Sequence, residues 1–169
     1  MVRLRLLSWL WDYLVAVGLL LVVFIFIGVP TLLGWFSLDG IWGSLVLSDI
    51  AITLLTVIPF LVYLAATEAG ASHATWGKRR TRIGVFNLQE GPPQIVAVWI
   101  RNIVKLLPWQ FAHMGVEALI RNGHSTAGIV FYVTSLVLLA AVAGPPLFNR
   151  RGVHEVIAGT VVQRTDAAT

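Results

Sequence analysis

Three carboxylates, Asp12, Glu68 and Glu155, lie in or beside long apolar runs, and Arg5, Arg101 and Lys105 are cations that could answer them. An ionisable side chain inside a membrane is costly, and it marks an ion pair, a proton relay or a cation path. Arg5 and Asp12 share a helix face but sit about 10 Å apart along the axis, too far to pair well. Asp12 therefore needs a partner from another segment, and Arg101 is the best candidate. Such an Asp12 is either half of a structural ion pair or an ion-coupled group. Glu68 and Glu155 fall at membrane edges. They either anchor helix ends or join Asp12 in a carboxylate cluster facing Arg101 and Lys105.

Other spacings carry less chemistry. His113 and Glu117 are four residues apart, on one helix face, as a proton relay or a metal site would need. Two ligands are too few for a metal. His154 and Glu155 are adjacent and point about 100° apart on a helix, so they form no dyad by themselves. No nucleophile is paired with a base, so the chain reads as a non-enzyme with no cofactor. Gly77-Lys78 is not a phosphate loop, because Ser72 stands where the first glycine of that pattern belongs.

The elements that must position these groups are membrane spans. Of 169 residues, 57% are hydrophobic and 12% charged, against about 25% charged in a soluble domain. Mean hydropathy is +0.83. There is no cysteine, so there is no disulfide frame and no thiolate metal site. A net charge of +4 would point to nucleic acid in a soluble protein. Here the basic residues flank apolar runs, and membrane orientation accounts for them better.

The expected spans are about 6–29, 45–67 and 125–148, each near the ~20 apolar residues a bilayer needs. Arg3 and Arg5 give the chain a basic start, but the following run is too long for a signal core and lacks a cleavage site, so it reads as a retained span. Pro30 ends it, and Pro59 should bend the second. Residues 95–120 are long enough to cross, but one face carries Arg101, Asn102, Lys105, Gln110, His113 and Glu117. This segment, which Pro108 divides, either crosses with that face turned into a bundle or lies in the interface. In the last span Ala140 and Gly144 form a small pair suited to close helix contact, and Gly144-Pro145-Pro146 should break or kink its end.

Lysine and arginine counts favour four spans. With 95–120 crossing, nine lie inside (Arg3, Arg5, Lys78, Arg79, Arg80, Arg82, Arg150, Arg151 and Arg164) and Arg121 alone lies outside. Both termini are then cytoplasmic. So are the connection 69–94 and the tail 149–169, and Arg101, Asp12, Glu68 and Glu155 come to similar depth. Residues 82–88 and 159–164 read as strands that pair into a small cytoplasmic β element. The fold class is an all-α membrane protein, a four-helix bundle forming one domain over 1–169.

Arg5 with Asp12, the block Thr75-Trp76-Gly77-Lys78-Arg79, Arg101-Asn102, and Arg151-Gly152-Val153-His154-Glu155-Val156-Ile157-Ala158-Gly159-Thr160 together resemble the RDD family of prokaryotic integral membrane proteins. The family is named for one arginine and two aspartates, and the resemblance covers about residues 3–164. Glu155 stands at the second namesake aspartate, and His73 stands where the family often has glycine. The interval from Arg101 to Arg151 is longer than usual. The resemblance implies a multi-pass protein of the prokaryotic cell membrane, with sodium–proton exchange as the one activity it suggests. The rival expectation is a non-transporting scaffold that binds another membrane protein or anionic lipid. Four spans of one copy can hardly enclose a pathway, so transport implies a homo-oligomer. The bilayer is the one certain partner in either case, and nucleic acid is not one.

Overall fold

The computed structural model describes residues 1–123 and 125–165. Three of its helices are long and apolar enough to cross a membrane: α1 (Val2–Leu32), α3 (Leu45–Ala69) and α6 (Thr126–Leu147). Between α1 and α3 lies a short turn of helix, α2 (Asp39–Trp42). A second short helix, α4 (Trp76–Arg80), leads into β1 (Ile83–Asn87). The 28-residue α5 (Ile95–Asn122) follows, and after α6 come α7 (Val153–Ile157) and β2 (Thr160–Arg164). The mostly-α membrane architecture is as the sequence predicts.

Proline does not stop these helices where sequence rules say it should. α1 runs through Pro30 to Leu32, and α3 runs through Pro59 to Ala69. In each, a wide π-type turn precedes the proline: Phe24–Gly28 in α1 and Thr53–Val57 in α3. A proline ring clashes with the carbonyl four residues back. Those carbonyls belong to Phe26 and Leu55, both within the widened turns, where i→i+5 bonding makes room. Pro108 likewise sits inside an unbroken α5 and does not divide it. Pro145 and Pro146 lie in the last turn of α6, which ends only at Leu147.

The helix ends are set by short polar side chains. The hydroxyls of Ser44, Thr75 and Ser125 accept from the amides of Leu47, Lys78 and Gly128 and cap α3, α4 and α6.

α5 runs antiparallel to α3 along its whole length. Near its start, Arg101 and Asn102 meet Glu68 at the end of α3. Near its end, Glu117 and Arg121 meet Ser48 at the start of α3. This matched length argues against a segment lying flat in the interface and for a fourth helix of the bundle. α6 folds back on α5, and the two approach closely at Gly115 and Gly128. A Cβ at Gly115 would come 2.7 Å from the Tyr132 nitrogen, and one at Gly128 would come 2.9 Å from Leu119 Cγ. The close pair is thus not Ala140 and Gly144. Nothing lies within 4 Å of a Cβ built on Gly144, and Ala140 is exposed.

β1 and β2 pair antiparallel, with Ile83 opposite Arg164 and Asn87 opposite Thr160. Ile83, Val85 and Val162 are buried together there, with Leu4 packed against them. A second apolar cluster of Val57, Leu64 and Leu106 holds α3 against α5 midway along the bundle. Elsewhere the surface is apolar, with Leu10, Phe26, Val46 and Val137 all more than half exposed. That suits hydrocarbon surroundings and not water.

Candidate functional site: a buried charge cluster

Five elements meet at the end of the bundle that carries the sheet, and each brings charge. Glu68, on the last turn of α3, has no exposed surface. Its Oε1 takes the Lys78 ammonium. Its Oε2 accepts from Asn102 Nδ2 at 2.9 Å and lies 3.3 Å from Arg101 Nε. Glu155 on α7 takes the other side of Arg101 at 3.5 Å through Oε1. Through Oε2 it accepts from Arg5 at 3.2 Å and from the amide of Gly152, the residue that caps the start of its own helix, at 3.1 Å. That last bond is the return half of a capping box. Arg101 also donates to the Thr160 hydroxyl at 3.0 Å, which ties α5 to β2. Arg151 clamps the tail by donating to the carbonyl oxygens of Glu155 and Thr160.

Asp12 lies in the same region but makes no ion pair among the described residues. Its Oδ2 accepts from the Thr75 hydroxyl at 2.6 Å. Its Oδ1 accepts from the Gly77 amide at 2.9 Å and the Tyr63 hydroxyl at 3.0 Å. The carboxylate thus sits on the first turn of α4, where exposed amides and the local dipole favour negative charge. This corrects the expected Asp12–Arg101 pair: Arg101 goes to Glu68 and Glu155 instead. Gly77 permits the approach, since a Cβ there would fall 2.2 Å from the Ser8 carbonyl oxygen and 2.8 Å from Asp12 Oδ1. Next to this contact the Arg80 guanidinium lies over the rings of Trp76 and Trp11, at 5.1 and 5.5 Å.

His154 is buried against the cluster, and its Nδ1 has no partner among the described residues. Burial, with Arg101, Lys105 and Lys78 nearby, pushes its imidazole down to about 2. It is neutral in the folded protein.

These are the residues by which the chain can be placed. The RDD family pattern matches residues 2–159. The chain belongs to the RDD family. No curated protein and no solved structure matches it. In this RDD protein the Glu155 side chain spans Arg5 and Arg101. His73 has φ of 47°, the left-handed region that glycine adopts without strain.

The far end of the bundle holds a second polar network that sequence reasoning reached only in part. Glu117 takes the Ser48 hydroxyl and, at 3.0 Å, the Arg121 guanidinium. Gln110 donates to Asp49 at 3.3 Å and accepts from Thr53 at 3.0 Å. The i, i+4 signal found His113 and Glu117. The His113 ring instead packs on Trp109. Ser48, Gln110 and Arg121 were missed as partners, because pairing across helices depends on a packing angle that spacing does not encode. Among the described residues, no three of His, Cys, Asp and Glu are grouped to hold a metal.

Proposed function

We propose that this RDD protein couples the movement of a monovalent cation to that of a proton, working as a homo-oligomer in a prokaryotic cell membrane and carrying out no enzymatic reaction. In this reading the sheet end, both termini and the 69–94 connection face the cytoplasm. One observation supports it most: Arg5, Lys78 and Arg101 are buried against Asp12, Glu68 and Glu155, within a bundle of membrane-length helices. A buried ionic network often adds less stability than an apolar core of the same volume, and in membrane helices such residues serve ion or proton paths by default. The second polar network at the far end, with Asp49 and Glu117, supplies polar groups toward the opposite surface. The apolar cluster of Val57, Leu64 and Leu106 separates the two. A barrier between two polar ends is what alternating access needs.

The test is flux into proteoliposomes loaded with a pH-sensitive dye, driven by a sodium or potassium gradient. Cation-dependent proton movement is expected in the wild type and is lost in Glu68→Gln. No movement above empty vesicles rejects the reading, and an RDD protein that instead co-purifies with one membrane partner supports the scaffold role.

A further inference from the structure

Arg80 is the last residue of α4, and its guanidinium rests on two tryptophan rings. Its carbon lies 5.1 Å from the centre of the Trp76 ring and 5.5 Å from that of Trp11. The two rings stand at 83° with their centroids 5.2 Å apart, so they form a corner. Trp11 belongs to the spanning helix α1, and Trp76 opens α4. Tryptophans at the end of a span sit at headgroup level, so this corner holds Arg80 in the layer of lipid phosphates. Stacking uses the flat face of a guanidinium and leaves its edge of N–H donors free to grip an oxyanion as a fork. Arg80 is exposed, and among the described residues it pairs with no carboxylate.

Charge around this corner selects the anion. Arg3, Arg79, Arg82, Arg150 and Arg164 are exposed at the same end, where Glu90 is the one exposed carboxylate among the described residues. The ammonium of a zwitterionic headgroup is repelled there, whereas a headgroup of net negative charge gains from each arginine near it. An apolar stripe borders Trp11 and leads toward the membrane centre. Leu10, Leu14, Val17 and Leu21 follow one another at helical spacing on one face of α1, and all are exposed. Acyl chains can lie along that stripe, and a free phosphate has no use for it. We propose that Arg80, held by Trp11 and Trp76, binds the headgroup phosphate of an anionic phospholipid whose acyl chains lie along α1. A lipid so placed touches α1 and α4 together and ties the connection that carries Thr75 and Gly77 to the membrane surface. The site stands whether or not the bundle moves ions.

Native mass spectrometry of the intact protein in neutral detergent, titrated with phosphatidylglycerol or with phosphatidylcholine, reads the site. The wild type is expected to hold phosphatidylglycerol at least about fivefold more tightly, the effect of one basic residue close to an anionic surface. Three variants separate a site from diffuse charge. Arg80→Gln removes charge and stacking, and Trp11→Leu removes stacking alone. Arg150→Gln removes an exposed charge that has no aromatic ring beneath it among the described residues. The first two are expected to lose most of the preference, and the third to keep it. Where Trp11→Leu melts early without lipid, Arg80→Lys takes its place, since an ammonium lacks the planar fork. Equal binding of the two lipids by the wild type overturns the proposal, as do equal losses in Arg80→Gln and Arg150→Gln, or a preference that survives loss of the stack. Displacement of phosphatidylglycerol by inorganic phosphate at the lipid's own concentration also overturns it, by making the ligand a free phosphate.

Discussion

Arg101 Nε lies 3.3 Å from Glu68 Oε2, and this pair locks α5 to the end of α3 with both side chains almost wholly buried. Removing one partner strands the other charge. Arg101→Gln and Glu68→Gln are each expected to destabilise the protein in detergent by roughly 3–5 kcal/mol. Because the two residues share one network, the double change should cost less than the sum. Thermal midpoints of the four proteins check this, and strictly additive losses would show that the contact carries no coupling.

The Asp12–Gly77 contact predicts a steric effect. Gly77→Ala places a Cβ against the Ser8 carbonyl oxygen and the Asp12 carboxylate, which are held by α1 and cannot yield freely. A loss of about 3 kcal/mol or more is expected, at the upper end for overpacking. Asp12→Asn keeps the volume but weakens charge-assisted bonds, and should cost about 1.5–3 kcal/mol. If Gly77→Ala melts like the wild type, α4 does not dock on α1 as described.

His154 gives the fold an acid limit. Its folded value is depressed to about 2 from an ordinary 6.5, so the unfolded chain binds a proton that the folded chain refuses. The neutral form's contribution is fully present above about pH 6.5 and falls away as pH drops below it. The slope approaches about 1.4 kcal/mol per pH unit once the unfolded imidazole is charged. Thermal midpoints from pH 7.5 down to pH 5 (about the range above carboxylate titration) should decline in the wild type and flatten in His154→Gln. An equal decline in both proteins would assign the acid sensitivity to another group.

Much of this was legible in the sequence because membrane burial writes itself into composition. Hydrophobic run length found α1, α3 and α6, and alternation next to basic blocks found both strands to within a residue or two. Local rules failed where tertiary geometry overrides them. Pro30, Pro59 and Pro108 are helix breakers by sequence, yet widened turns or the unbroken α5 contain them. The partner of Asp12 was missed for a related reason. Counting charges makes Arg101 the natural answer, but Thr75 and Gly77 present a hydroxyl and an amide that only the fold of the connection brings to α1.

The orientation of the bundle can be tested at three introduced thiols, since the chain has no cysteine of its own. Ser37 lies in the connection between α1 and α3, Gln89 beyond β1, and Asn122 at the end of α5. All three are exposed. α5 runs antiparallel to α3, so Asn122 shares an end with the start of α3 and with the connection carrying Ser37. Gln89 is on the sheet end, where Arg3, Arg79, Arg80, Arg82, Arg150 and Arg164 are exposed. Positive charge of this density stays on the cytoplasmic side. An impermeant thiol reagent applied outside intact cells is therefore expected to label Ser37→Cys and Asn122→Cys and to spare Gln89→Cys until the membrane is opened. Labelling of Gln89→Cys alone would reverse the orientation. Labelling of Ser37→Cys without Asn122→Cys would mean that α5 does not cross beside α3, and would separate Glu117 and Arg121 from Ser48.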